Sequence, residues 1–297
     1  MTYAAATTTT PEVSASESSH PWDAAAAGWN AHAALIHKWL QNATQTMLDE
    51  ARIGPGARVL DIAAGAGDQT LDIARRIGPQ GWVLATDLSP GILALALKNA
   101  EAEGFLQVST QVADAQSLGL AGANFDAAVS RLGLMFCPAP LAALNEIRAA
   151  LRPQGRFSAL VFGRPEHNPC LTITLATARK HASLVSGTAM QAPRPFEPGS
   201  LMSLGKPGLL EKLLQTAGFV DVSVRFVPAP FHTHSAEQYV DFLRSSASPI
   251  IEMLAPLPDA ARQDAWADIA EQLKVFNDPS GWIGPNELLQ CVTVAPA

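Results

Sequence analysis

Nowhere does this chain run through the roughly 18 uninterrupted apolar residues that a membrane helix needs, so no segment reads as a membrane span. It also lacks a basic start followed by an apolar stretch, and without such a signal the expected location is the cytoplasm. Positive charge is in deficit. Only 20 Lys and Arg stand against 27 Asp and Glu, a formal charge of −7, and the basic residues are scattered. Binding a polyanion relies on clustered cations that displace its counterions, so nucleic acid is not an expected partner. Cysteine is scarce as well. Cys137, Cys170 and Cys291 lie far apart, show no zinc or redox spacing, and read as reduced thiols. No metal site is expected.

What the chain does have is apolar substance. With 48% hydrophobic residues in 297, it can fill one large α/β domain, or a core carrying an inserted cap. Residues 1–20, rich in Ala, Thr and Ser, cannot offset their ordering entropy and predict a mobile tail. From Trp22 to Ile53 the pattern is helical: Leu35, Ile36, Trp39, Leu40, Ala43 and Met47 fall three or four apart, giving a helical cover over 21–53. Gly54-Pro55-Gly56 ends it.

An alternation follows. Strands are predicted at Arg58–Ile62, Trp82–Thr86, Leu106–Val112, Phe125–Ser130 and Arg156–Phe162, with helices at Gln69–Ile77, Pro90–Ala102 and Pro140–Leu151. Pro153-Gln154-Gly155 breaks the chain before the fifth strand. This order predicts an α/β core over 54–163, a parallel sheet with helices on both faces. The alternation lapses after Gly163, and the proline-containing segment 164–206 reads as a cap or substrate segment. Residues 207–297 complete the core around a helical insertion. Helices are expected at Pro207–Ala217, Ala236–Leu243 and Asp259–Phe276, and strands at Val220–Val227 and Glu287–Val294.

The most informative run is Val59-Leu60-Asp61-Ile62-Ala63-Ala64-Gly65-Ala66-Gly67-Asp68-Gln69-Thr70. A buried strand ends in small residues and opens into a helix. Such a loop lets a ligand approach the backbone, and the helix start offers free N–H groups. A tight turn with no ligand is the plain alternative. The second strand ends in Asp87, whose carboxylate could accept from both hydroxyls of a ribose; the alternative, a helix cap, suits Ser89 better. Asp114-Ala115 after the third strand supplies another acid, or else a turn residue. The loop reads Gly65-x-Gly67-x-x-Thr70, so the third small residue of a dinucleotide fingerprint is missing.

These residues, with Ala85-Thr86-Asp87-Leu88-Ser89, Phe125-Asp126-Ala127-Ala128-Val129-Ser130-Arg131 and Leu151-Arg152-Pro153-Gln154-Gly155-Arg156, resemble a class I S-adenosylmethionine-dependent methyltransferase. The branch is similar to the ubiquinone and menaquinone biosynthesis methyltransferases, specifically over 54–163 and only generally beyond. The resemblance implies a Rossmann-like sheet of seven strands with the last antiparallel, and S-adenosylmethionine as cofactor. It implies that Ala64, Gly65 and Gly67 line the methionine part, within a set that includes Ala63, Gln69 and Thr70. Asp87 would hold the ribose, Leu88 would pack on the adenine, Asp114 and Ala115 would meet its edge, and Ser130 would lie near the amino group. Asp61 would order the loop or meet that amino group through water. Ala63 and Gln154 stand where glycine is frequent, a minor departure provided their backbones keep negative φ.

The chemistry needs a nucleophile aligned behind the methyl carbon, water excluded and, for a phenol or enol carbon, a general base. Of seven histidines, His167 ranks first as base, ahead of His232, His234, His32 and His37, although for any one of them a surface or packing role is the better reading. Trp29, Met135 and Phe136 could wall an apolar acceptor, Arg131 could orient an anion or pair with a neighbouring loop, and Asn168 begins the cap. The expected partner is a small organic metabolite, aromatic, polyketide- or quinone-like, as in secondary metabolism; a homodimer stays open. The alternatives are a non-methylating binder or cyclase that keeps the pocket, and a nicotinamide-dependent oxidoreductase.

Overall fold

The computed structural model describes residues 21–186 and 196–297; the expected tail at 1–20 lies outside them. The core alternates as the apolar runs predict: β1 (Arg58–Ile62), α3 (Asp68–Ile77), β2 (Trp82–Asp87), α4 (Pro90–Ala102), β3 (Val108–Val112), β4 (Phe125–Arg131), α5 (Pro140–Ala150) and β5 (Leu151–Phe162). Ahead of it, in the expected helical cover, stand α1 (Pro21–Ala31) and α2 (Ala33–Glu50), separated at His32. After it come α6 (Pro169–Ser186), α7 (Leu209–Thr216), β6 (Val220–Pro228), β7 (Phe231–Thr233), α8 (Ala236–Ser246), α9 (Ser248–Leu254), α10 (Asp259–Leu273), β8 (Asn277–Asp278), β9 (Gly281–Gly284) and β10 (Glu287–Val294).

The main sheet has seven strands in the order β3-β2-β1-β4-β5-β10-β6. Pairing is parallel from β3 to β5, and β10 runs antiparallel to both β5 and β6, as the resemblance implied. Strands β1 and β4 lie side by side although most of two βα units separate them in sequence, so a crevice opens beyond their carboxyl ends. The central strands are buried except at Arg58, Asp126 and Arg131, and their middles are mostly Val, Leu, Ile and Ala. A second small sheet, β7-β9-β8, was not foreseen.

Segment 164–206, read as a cap or substrate segment without a clean strand, carries the helix α6, which packs on α10 and α9; residues 187–195 lie outside the described set. Strand β5 also starts earlier than expected. Leu151 already pairs with Phe125, a register shift absorbs Pro153-Gln154-Gly155, and regular pairing resumes at Arg156. No helix among the described residues is long and apolar enough to cross a membrane.

Candidate active site

The crevice is walled at its base by the loop after β1. Asp61 is fully buried beneath it, accepting from the Gln69 side-chain amide and, at 2.6 Å, from Thr70 Oγ1. Burial pushes its carboxyl up to about 6, against the pull of Thr70, Gln69 and Arg131. Asp61 thus ties the end of β1 to the first turn of α3. Between these anchors the chain turns tightly, with Ala64 N donating to Thr86 O (3.0 Å) and Gly67 N to Ala64 O (3.2 Å).

That turn corrects an expectation. Ala63 has φ +55° and Gln154 +62°, so both adopt the left-handed backbone that their glycine-like places demand. Ala63 must reverse the chain within one residue of the strand, and Gln154 does so at the β5 irregularity, where its N–H reaches Ala295 O at 3.2 Å. The glycines differ in purpose. A Cβ on Gly65 would meet only Ile92 Cδ1, at 3.9 Å, so the crevice is open above it. A Cβ on Gly67 would lie 3.0 Å from Ala96 Cβ, so this glycine, absent from the wall, admits α4.

At the next strand tip, Asp87 accepts from Gly65 N (3.0 Å) and Ser89 N (3.1 Å). Ser89, not Asp87, caps α4 through Ile92 N at 3.0 Å. Leu88 beside it stays 41% exposed, an apolar surface turned to the crevice. Asp114 caps the 3-10 turn Ala115–Ser117 through Gln116 N (2.8 Å), and Gln116 Oε1 accepts from Ala139 N (2.8 Å). Gln116, Cys137 and Pro138 close this end.

The opposite end is polar. Arg131, at the tip of β4 and nearly buried, pairs with Asp68 at 2.7 Å and donates to Thr44 Oγ1 on α2 at 2.9 Å. Asp68 in turn meets His37 Nδ1 at 3.1 Å. Helix α1 forms the roof. Asp23 accepts from the Ser89 hydroxyl, Asn30 Oδ1 accepts from Asn99 (2.8 Å), and Trp22 stands edge-on to Phe136 with ring centres 5.0 Å apart. Asn99 also donates to Ala66 O at 3.0 Å, so roof and loop share one clamp.

Of the residues expected here, Ala63, Ala64, Gly65, Gln69, Asp87, Leu88, Asp114, Ala115, Trp29, Arg131 and Phe136 share the crevice wall. Asp61, Gly67, Thr70, Ser130 and Met135 stand buried behind it; Met135 spends its carbonyl on Ser203 Oγ at 2.6 Å. His167 and Asn168 do not line it. The His167 ring meets Glu287 Oε1 at 2.7 Å, and Asn168 bridges Arg164 O and both backbone groups of Glu287, pinning the chain after β5 to β10. No described histidine is on the wall. Sequence reasoning missed Trp22, Asp68, Asn99 and Gln116. Asp68 and Gln116 each directly follow a motif residue, which was the available signal; Asn99 and Trp22 offered none.

Comparison with known proteins agrees with this architecture. A methyltransferase domain matches residues 59–155. An uncharacterized protein of Mycobacterium tuberculosis is 32% identical over 222 residues, 71% of either chain. The malonyl-[acyl-carrier protein] O-methyltransferase of Erwinia pyrifoliae is 35% identical over 141 residues, 47% of this chain and 49% of its own. The aklanonic acid methyltransferase DauC of a Streptomyces species is 34% identical over 109 residues, 36% and 50%. Haemonchus contortus phosphoethanolamine N-methyltransferase 2, solved with S-adenosyl-L-methionine, superposes with a TM-score of 0.53 at 18% identity, covering 90% of this chain and 57% of that one. The sheet order, the glycine loop with its acidic strand tips and these likenesses place the chain among the class I S-adenosylmethionine-dependent methyltransferases.

Proposed function

We propose that the protein methylates a small organic acceptor, aromatic or polyketide- or quinone-like, held in the crevice above the β1 loop. The cofactor, when bound, supplies a methyl group activated by a sulfonium. The residues present fit it. Open space over Gly65 admits a chain against the loop backbone, Asp87 offers carboxylate lone pairs for a diol, and Leu88 offers an apolar face. Ser130 Oγ, buried behind the wall, has no hydrogen-bond partner among the described residues and suits an approaching polar group. A small acceptor is supported by the roof of α1 and by the apolar Trp22, Trp29 and Phe136, which enclose rather than expose the crevice. Two relatives carry an acyl or organic acid in their names. A nucleic-acid acceptor is disfavoured by a wall bearing Asp68, Asp87 and Asp114 against Arg131.

The observation that carries this proposal is Asp87 at the tip of β2, beside the open face of Gly65. Calorimetry with S-adenosylhomocysteine tests it. Asp87→Ala should weaken binding by about 2 kcal/mol, roughly 30-fold, through two lost charge-assisted hydrogen bonds. Undiminished affinity would remove Asp87 from the site.

A further inference from the structure

Methyl transfer leaves a question of protons. A phenol or an enol must lose one as it is methylated, and an ammonium must lose one beforehand. The described wall holds no His, Lys or Tyr to take it. Cys137 does face the crevice, but burial and the nearby Asp114 carboxylate push its thiol up to about 11, so it stays protonated at neutral pH. The wall's carboxylates are engaged as well: Asp68 with Arg131 and His37, Asp87 with Gly65 N and Ser89 N, and Asp114 with Gln116 N. An acceptor suited to this wall arrives already ionised.

The wall also holds a place for such a group. Arg131 is the one cation among its described residues. A guanidinium presents five N–H donors in a planar fork that matches a carboxylate. Arg131 already attracts one carboxylate, since an Asp68 oxygen lies 2.7 Å from its Nη2. Asp68 has a second partner to retain if displaced, because His37 Nδ1 lies 3.1 Å from its other oxygen. Trp29, Leu132 and Phe136 add apolar surface to the same wall.

Building on the methyl-transfer proposal, we propose that the acceptor is a carboxylic acid, docked as its anion on Arg131 and released as a methyl ester. A carboxylate oxygen gives a lone pair to the methyl carbon. The C–O bond forms as the methyl–sulfur bond breaks, and the breaking pair stays on sulfur. The anionic and sulfonium charges cancel and no proton moves. A free carboxyl, with its ordinary pKa of about 4, meets this requirement at neutral pH without help from the protein.

Calorimetry on protein saturated with S-adenosylhomocysteine tests this with four probes of one shape: 2-naphthoate, methyl 2-naphthoate, 2-naphthol and 2-naphthylamine. Naphthoate should bind at least about tenfold more tightly than the other three, the effect of one charge-assisted pair. Arg131→Gln should abolish that preference, Arg131→Lys should keep part of it, and Asp68→Asn, which removes the internal competitor, should strengthen naphthoate binding severalfold. Circular dichroism checks that each variant is folded. Equal binding of naphthol or naphthylamine, or a preference that survives in Arg131→Gln, overturns the proposal. If S-adenosylhomocysteine itself does not bind, the methyl-transfer proposal fails; if it binds and no acid preference appears, only the acid assignment fails.

Discussion

Asp61 lies fully buried at the end of β1, where burial raises its carboxyl from 3.8 to about 6. A carboxyl that holds its proton more tightly when folded favours folding while protonated. That contribution is complete below about pH 4 and is lost as pH rises through about 6. The gap corresponds to about 3 kcal/mol. Asp61→Asn keeps an oxygen for Gln69 and removes the titration, so its stability relative to the natural protein should climb by about 2 kcal/mol between pH 4 and pH 7 in urea unfolding. A constant difference across that range would refute the buried-acid account. Asp72, also raised by burial, is common to both proteins and cancels. The place of Asp61 under the loop was legible, because an acid one residue inside a buried strand end has few other uses. Backbone sign was not: sequence names Ala63 and Gln154 but says nothing of their torsions. Gln154 is exposed at φ +62°, so Gln154→Gly should stabilise the fold by about 1 kcal/mol, read from the same unfolding curves.

Elements announced themselves in proportion to the size of their apolar residues. Strands β1, β2, β4 and β10 each carry a largely buried stretch rich in Val, Leu, Ile or Ala, and their positions follow from it. Helix α6 was missed because Cys170, Thr174, Ala178 and Ala182, buried and four apart, are small groups that carry little hydrophobic signal. Helix α1 is the element on which the site depends most. Eleven residues cannot hold a helix alone, so its hold is tertiary. Gly28 is the tightest point: a Cβ there would lie 1.9 Å from Ser245 O on α8. In a free helix, Gly→Ala would add roughly 1 kcal/mol of stability. Here Gly28→Ala should lift the roof, weakening S-adenosylhomocysteine about tenfold and exposing α1 to limited proteolysis while the core unfolds at nearly its usual temperature. Unchanged affinity together with unchanged proteolysis would show that α1 does not roof the ligand.

At the scale of the whole molecule, the site is assembled from parts distant in sequence, and this is where sequence reasoning ran short. Nearness to the end of β5 made His167 a candidate base. The side chain's direction, however, is set by the antiparallel pairing of β10, which aligns Leu288 with Phe162 and brings Glu287 to the His167 ring. The roof likewise joins three regions: α1 from the N-terminal cover, α4 and the β1 loop from the core, and α8 from the C-terminal insertion. A ligand under that roof touches the first two directly and the third through α1. If the regions form one cooperative unit, S-adenosylhomocysteine at 100 times its Kd should add about 2.7 kcal/mol to all of them together. For a protein of this length that is a rise in Tm of about 5 °C in a single calorimetric transition. Two transitions, with only one moved by the ligand, would mean that the insertion and its sheet β7-β9-β8 fold apart from the core. The α1 roof would then be held on one side only.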